Sequence, residues 1–258
     1  MSVNILAVGD VVGASGLKFL AKKLRTVKTL KGIDFTVVNG ENLSGTGLTP
    51  DQADELFSAG ADVITLGNHT FNRQSIIPYL DDCRYILRPA NYAPQNPGRG
   101  WGVFEASFGR ICVMNLIGRC EMGFSSDNPF FEADRIIKQA DTNIIVADFH
   151  AEATSEKLAM AHYLDGRVSA LWGTHTHVQT SDGVVLPKGT GYITDLGMTG
   201  PANSVLGVAP EKSISVFLGG PPKKYELADG ACKLECAIFE IDEKSGKAMS
   251  VEALRITE

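Results

Sequence analysis

Residues 35–42 read Phe35-Thr36-Val37-Val38-Asn39-Gly40-Glu41-Asn42, an apolar run that ends abruptly in amides and a carboxylate. The run predicts a buried strand, and the segment after it predicts a polar loop. The same arrangement occurs on either side along the chain. Residues 4–8 lead to Gly9-Asp10, and residues 63–66 lead to Gly67-Asn68-His69. A polar motif therefore follows each of the first three predicted strands.

Two predicted helices separate these strands. The first has apolar residues at helical spacing from about Gly16 to Thr29. The second begins after Thr49 as the cap, with Gln52 three residues later, and ends at Gly60. Alternating strands and helices predict a mostly parallel sheet covered by helices, with ligands beyond the carboxyl ends of its strands.

The second half of the chain continues the alternation and adds two hairpins. In chain order, the predicted elements are strands at 103–107 and 111–116, a helix at 129–140, a strand at 143–147, a helix at 155–164, strands at 168–172 and 192–195, and strands at 232–241 and 249–256. Strands 103–107 and 111–116 form one antiparallel hairpin, and strands 232–241 and 249–256 form another. We therefore expect two packed sheets with helices outside.

The composition is that of an ordinary globular protein. The 258 residues are 44% hydrophobic and 21% charged, which favours a single domain over residues 1–258. The net charge of −6 does not favour nucleic acid as a partner, although it leaves a local basic patch open. The sequence leaves a homo-oligomer open as well.

The sequence also predicts a compartment. No basic region precedes an apolar stretch at the N-terminus, and no apolar run approaches the roughly 20 residues that cross a bilayer. We therefore expect no signal peptide and no membrane partner. The five cysteines are odd in number and scattered, so they do not predict a disulfide framework. These features favour a cytoplasmic protein.

Side chains in the polar motifs are candidate metal ligands. Neutral imidazole, carboxylate and amide oxygen together suit first-row transition metals. The candidates are Asp10, Glu41, Asn42, Asn68, His150, His175 and His177. These seven exceed the four ligands of a structural zinc site and suffice for two ions. We expect them to gather at the mouth of a sheet.

Some candidates have competing interpretations. Asp10 alone could cap the next helix, and His150 alone could be a core histidine with satisfied hydrogen bonds. Glu41 can bind two cations at once, one through each oxygen. His175 and His177 are two residues apart, and in extended chain such side chains project to the same side, towards one metal or two neighbouring metals.

His69 directly follows a candidate ligand. Because consecutive side chains diverge, we expect it to act on substrate as a general acid instead of binding metal. His162 lies within a predicted helix and is interpreted as structural. Cys232 and Cys236 are interpreted as packing residues, because their spacing lacks the partner pairs of a zinc knot.

The candidate ligands predict a metal-dependent hydrolase. Two ions a few ångströms apart can clamp a phosphoryl group and activate a bridging hydroxide for in-line attack. The spacing also leaves carbonyl hydrolysis open.

The polar motifs resemble those of the calcineurin-like metallophosphoesterases, and in particular the YmdB-like branch of bacterial phosphodiesterases. The segments that carry the resemblance are Gly9–Gly13, Val38–Asn42, Gly67–Thr70, Arg88–Asn91, Phe149–Lys157, Gly173–Thr180 and Asp195–Gly200. Val12 stands where the wider superfamily has a histidine ligand, and Thr70 where it has a carboxylate. In the YmdB-like branch an asparagine after the glutamate replaces the lost ligand, and Asn42 fits that position.

The resemblance implies a four-layer α/β/β/α sandwich, with two mixed sheets flanked by helices and a dinuclear centre. It implies that Asp10, Asn42 and His177 hold one ion, that Asn68, His150 and His175 hold the other, and that Glu41 bridges them. Iron, manganese or both are the implied ions. His69 is implied to donate a proton to the leaving oxygen.

The implied activity is hydrolysis of small cyclic nucleotides, with 2′,3′-cyclic nucleotides favoured and 3′,5′-cyclic AMP as an alternative. A phosphomonoesterase or RNase using the same site is a competing hypothesis. A regulatory binding protein that acts through a partner is another.

Overall fold

The structure, a computed structural model, describes residues 1–123, 125–221 and 226–258. Its elements form two mixed sheets. In the described residues the first sheet has eight strands in the order β2-β12-β13-β1-β3-β4-β5, with β14 pairing β13. These strands are β1 Ser2–Val8, β2 Asp10–Val11, β3 Phe35–Asn39, β4 Val63–Thr65, β5 Ile86–Leu87, β12 Met198–Pro201, β13 Cys232–Asp242 and β14 Ala248–Thr257. β1, β3, β4 and β5 run parallel, as the alternation predicts.

The second sheet has six strands within the described residues, in the order β10-β11-β9-β8-β7-β6. They are β6 Trp101–Ala106, β7 Gly109–Ile117, β8 Ile144–His150, β9 Ala170–Thr174, β10 Val184–Val185 and β11 Gly191–Ile193. β6 and β7 form the predicted antiparallel hairpin, and β7, β8 and β9 run parallel. The last two strands of the chain, β13 and β14, form the second predicted hairpin.

The helices that cover the outer faces of the sheets are α1 Gly13–Lys31, α2 Pro50–Ala59, α3 Ile76–Asp82, α4 Pro129–Gln139 and α5 Thr154–Leu164. A further helix, α6 Pro210–Phe217, buries none of its residues. α2 has the predicted capping box, in which the Thr49 side chain accepts from Gln52 N and the Gln52 side chain accepts from Thr49 N. Gly60 ends the helix at φ 120°, a backbone conformation that favours glycine.

Three apolar cores separate the four layers. Successive residues of a strand point to opposite faces, so in β1 Leu6 packs with α1 and α2 while Ile5 packs between the sheets. Trp172 of the second sheet enters the same inter-sheet core. The third core joins the second sheet to α4 and α5, with Phe149 beside Leu164. The predicted four-layer α/β/β/α sandwich is confirmed.

Two predicted boundaries were wrong in ways that matter for the site. α1 begins at Gly13, three residues earlier than the apolar periodicity indicates, and Gly13 N donates to Asn42 O at 3.1 Å. β8 does not stop at residue 147 but continues through Asp148 to His150. The strand continues past Asp148 because this carboxylate is completely buried and forms its hydrogen bonds between the sheets.

No helix among the described residues combines the length and the apolar character needed to cross a bilayer.

Candidate metal centre

The seven candidate ligands come together where the two sheets meet at the carboxyl ends of their parallel strands. The first sheet contributes the carboxylate and amide ligands, and the second contributes the imidazoles. Asp10 lies beyond β1, Glu41 and Asn42 beyond β3, and Asn68 beyond β4, while His150 ends β8 and His175 and His177 follow β9. The side chains form two groups.

The first group surrounds the inner nitrogen of His150. His150 Nε2 lies 3.1 Å from Glu41 Oε2, 3.0 Å from Asn68 Oδ1 and 3.0 Å from His175 Nδ1. His150 and Glu41 are completely buried. One ring nitrogen carries at most one proton, so it cannot form three hydrogen bonds as a donor.

The second group contains Asp10, Asn42 and His177. Asn42 Nδ2 lies 3.3 Å from Asp10 Oδ1 and 3.1 Å from His177 Nε2, and His177 Nε2 lies 3.7 Å from Asp10 Oδ1. Asn42 thus turns its NH₂ towards the other two side chains. To bind a cation through its oxygen, this amide would have to rotate by about 180° about its terminal bond.

The outer nitrogen of each of the three candidate histidine ligands faces a hydrogen-bond acceptor. Thr174 donates its hydroxyl proton to Asp148 Oδ1 at 2.7 Å, so its oxygen accepts from His150 Nδ1 at 2.9 Å. His175 Nε2 lies 3.2 Å from Glu152 Oε2, and His177 Nδ1 donates to the carbonyl of Leu206 at 3.0 Å. In the neutral rings the inner nitrogens therefore carry lone pairs, as metal-binding histidines do.

The first group fits a metal ion. Glu41 Oε2 has no hydrogen-bond partner among the described residues, although it is buried. Burial lowers the pKa of His150 well below its usual value and also lowers the pKa of His175, so both rings favour the neutral form. Burial raises the pKa of Glu41 well above its usual value, and a cation would take the place of its proton.

The spacing of these atoms supports the same conclusion. Two ligands that bind a first-row ion at about 2.1 Å, at right angles to one another, lie about 3 Å apart. The three distances from His150 Nε2 are 3.0–3.1 Å. Within the described part of the chain, no three His, Cys, Asp or Glu side chains form a complete ligand set without help. Amide oxygens are needed to complete it, which agrees with the presence of Asn68 and Asn42.

The loop that carries His175 and His177 is not extended, so that expectation was wrong. The two residues have φ values of 100° and 63°. Such backbone is strained for side chains other than glycine and persists only where its surroundings hold it. His175 N donates to Asp10 Oδ2 at 3.1 Å, and Thr176 donates to Asp195 from its N–H and its hydroxyl. The two imidazoles consequently enter different groups.

Asp195 is held in turn by a buried lysine. Lys157 Nζ lies 2.7 Å from Asp195 Oδ2, and both side chains are 1% exposed. Lys157 comes from the first half of α5, directly behind the histidine loop. This ion pair therefore holds Asp195 in place, and Asp195 in turn holds the strained backbone of the loop.

His69 lies at the edge of the first group, next to Asn68. Its backbone N–H donates to Glu41 Oε1 at 2.5 Å, and its Nε2 lies 3.4 Å from Asn68 Nδ2. Asn72 Nδ2 lies 3.0 Å from His69 Nδ1, so an amide group flanks each nitrogen of the ring. Burial, followed by the nearby His175, lowers the pKa of His69.

The side chains that contact the outer nitrogens of the histidines, directly or through one hydroxyl, were not predicted from the sequence: Asn72, Asp148, Glu152 and Thr174. Glu152 and Thr174 lie within the quoted motifs, two residues and one residue from a candidate ligand, so their position was a usable signal. Asp148 follows the predicted strand directly, but nothing in the sequence pattern assigned it a role of its own. Asn72 had no signal in the sequence, because its role depends on the turn that follows His69.

Comparisons with known proteins identify the family of the chain. The family model of YmdB-like proteins matches residues 6–254. The chain belongs to this family. It is 43% identical over 259 aligned residues to a 2′,3′-cyclic-nucleotide 2′-phosphodiesterase of Bacillus subtilis, covering 99% of this chain and 98% of the relative.

Two solved structures have the same fold over their whole length. A novel phosphatase from Mycoplasma pneumoniae has a TM-score of 0.95 at 36% identity, with 100% of this chain and 94% of that chain covered. A hypothetical protein from Thermus thermophilus has a TM-score of 0.93 at 35% identity, with 99% of this chain and 100% of that chain covered. The resemblance to calcineurin-like metallophosphoesterases is thereby confirmed for the family and the fold.

Proposed function

We propose that this chain is a dinuclear metal-dependent phosphodiesterase that hydrolyses small cyclic nucleotides, 2′,3′-cyclic nucleotides in preference to 3′,5′-cyclic AMP. The observation that carries the proposal is the convergence of potential ligand atoms from both sheets on His150 Nε2. The activity named for the Bacillus subtilis relative, at 43% identity over nearly the whole chain, supports the substrate class.

The ligands divide into two ion sites. Asn68, His150 and His175 would hold one ion, Asp10, Asn42 and His177 the other, and Glu41 would bridge them. Imidazole, carboxylate and amide ligands together suit iron or manganese. When bound, the ions would neutralise charge on the phosphoryl oxygens and lower the pKa of the attacking water.

The protein's own side chains supply the remaining chemistry. Attack of water on a 2′,3′-cyclic phosphate breaks the bond between phosphorus and O2′ and leaves a 3′-phosphate. The departing O2′ is a poor leaving group until it takes up a proton. His69, which lies beside Asn68 at the edge of the first group, would act as an imidazolium, give its Nε2 proton to O2′ and return to the neutral ring.

A substrate panel combined with elemental analysis tests the proposal. Purified full-length protein is analysed for iron and manganese, then assayed on 2′,3′-cyclic AMP, 3′,5′-cyclic AMP, a nitrophenyl phosphate and short RNA. We expect close to two ions per chain and the highest kcat/KM on 2′,3′-cyclic AMP, with 3′-AMP as the product.

The other results each oppose a different part of the proposal. Cleavage of RNA alone would make the protein a nuclease, and turnover of the nitrophenyl monoester alone would make it a phosphomonoesterase. Protein that binds no metal and turns over no substrate would favour a regulatory binding role.

A further inference from the structure

A cluster of buried polar side chains lies between the two sheets, directly beneath the metal centre. Its members are Asn39 of β3, Thr65 of β4, Asp148 of β8 and Thr174 of β9. None is more than 1% exposed. They lie beside the apolar residues of the inter-sheet core, and a buried carboxylate is costly there unless it is fully hydrogen-bonded.

The two oxygens of Asp148 have different partners. Oδ2 accepts from the first sheet, from Thr65 Oγ1 at 2.5 Å and Asn39 Nδ2 at 3.2 Å. Oδ1 accepts from Thr174 Oγ1 at 2.7 Å. Since the hydroxyl proton of Thr174 is committed to Asp148, its oxygen is left to accept from His150 Nδ1 at 2.9 Å.

We propose that Asp148, acting through the Thr174 hydroxyl, is a positioning residue that fixes the proton of His150 on Nδ1 and thereby makes Nε2 a metal ligand. The inference rests on the proposed metal-dependent function and deepens it. Asp148 touches neither the ligand atoms nor substrate. Asp148 sets the direction in which the Thr174 hydroxyl points its proton, and that direction sets the tautomer of the His150 imidazole.

The asymmetry of the Asp148 contacts makes Asp148→Asn a directed test. Thr65 and Asn39 both donate towards Oδ2, so the amide oxygen of the variant takes that position. The NH₂ group then faces Thr174 and donates to it. The Thr174 hydroxyl turns to donate to His150 Nδ1, which moves the ring proton to Nε2, into the metal centre. A near-isosteric change thus reverses the tautomer.

Two threonine variants separate this relay from simple stability. Thr174→Val removes the hydroxyl that links Asp148 to His150, and Thr174→Ser retains it. Thr65→Val is the matched control, because it removes another hydroxyl from the same carboxylate without touching His150. Each full-length protein is loaded with Mn²⁺, and retention of the ions is measured in competition with a chelator, beside the thermal midpoint.

We expect Asp148→Asn and Thr174→Val to weaken retention of one of the two ions by about 10- to 100-fold, the usual effect of losing an outer partner of a metal-binding histidine. Thr174→Ser should restore retention. Thr65→Val should lower the thermal midpoint and leave retention unchanged. In the zinc-loaded protein, ¹⁵N spectra should contain the His150 Nδ1–H signal in wild type and lack it in Thr174→Val.

Wild-type retention in Asp148→Asn and Thr174→Val would overturn the inference while leaving the proposed function intact. Equal loss in Thr65→Val and Thr174→Val would also overturn it, since the cluster would then act only through stability. The threonine pair decides the question even where Asp148→Asn does not fold. Wild-type protein that retains no Mn²⁺ would instead overturn the proposed metal site, and this inference with it.

Discussion

Glu41 Oε2 and His150 Nε2 lie 3.1 Å apart in the interior of the protein, yet the carboxylate oxygen has no hydrogen-bond partner among the described residues. An unpaired buried carboxylate destabilises a fold. The contact joins the first sheet to the second at the centre of the candidate site. A bound cation would relieve this cost, so metal binding at the site should affect stability as well as activity.

Glu41→Gln should stabilise the metal-free protein and destabilise the metal-bound protein. In the presence of a chelator, we expect the free energy of unfolding of the variant to exceed that of wild type by about 1–3 kcal/mol, because the NH₂ group of the glutamine can donate to His150 Nε2. With Mn²⁺ present, wild type should be the more stable protein, since it alone keeps the carboxylate ligand. Urea unfolding in the two conditions measures both differences. The same order in both conditions would count against Glu41 as a ligand.

The same variant predicts a pH dependence. Burial raises the folded-state pKa of Glu41 above its usual value of 4.5, so the folded protein holds a proton that the unfolded chain releases. Stability from this group is present below pH 4.5 and is lost as pH rises towards the folded-state pKa. In chelator, the advantage of Glu41→Gln over wild type should therefore grow between pH 5 and pH 8. Urea unfolding at several pH values checks this, and an advantage that shrinks with pH would contradict it.

Gly67→Ala should block the metal centre without a change of charge. A methyl group at this position would overlap Glu41 Oε2 and the His150 ring. We expect retention of metal against a chelator to fall by more than about tenfold, the lower end of the cost of misplacing a metal-binding histidine. Gly183→Ala is the control, because its methyl group would meet only Val251, at 3.3 Å. Equal retention in the two variants would contradict the assignment.

The site residues were predictable where their signal is local. An apolar run followed by Gly-Glu-Asn or Gly-Asn-His marks the carboxyl end of a strand, and parallel strands bring such ends to one edge. These motifs made Glu41 and Asn68 candidates, and His150 became one because it follows a near-continuous apolar run; none of the three required knowledge of the strand order. The long strands β13 and β14 were also predicted, as the two strands of a hairpin.

The supporting residues were not predictable, because their partners are distant in sequence. Asp148 accepts from Asn39, which lies 109 residues earlier and in the other sheet. The positive φ values of His175 and His177 have no local cause either. Neither position is a glycine, and the backbone is held by Asp10 and Asp195. Local patterns give the candidate ligands, whereas the packing of the two sheets gives their geometry.

Lys157→Met should be strongly destabilising. The substitution leaves Asp195 buried without its counter-charge, and breaking such a pair typically costs about 3–5 kcal/mol. Lys157→Met combined with Asp195→Asn should recover part of the loss, which a double-mutant cycle in urea quantifies. Arg110→Met is the matched control, since its pair with Asp141 is exposed and should contribute about 0–1 kcal/mol. Similar losses in both single variants would contradict burial as the cause.

His69→Ala should separate catalysis from metal binding. The proton on His69 Nε2 is proposed to reach O2′, so its removal should lower kcat on 2′,3′-cyclic AMP by about 10²- to 10⁴-fold, the usual contribution of a general acid. A nitrophenyl phosphodiester has a leaving group that needs little protonation, and its kcat should fall much less. Metal content should stay near that of wild type. Loss of both ions in this variant would instead make His69 a ligand, and an equal fall in kcat on both substrates would exclude it as the proton donor.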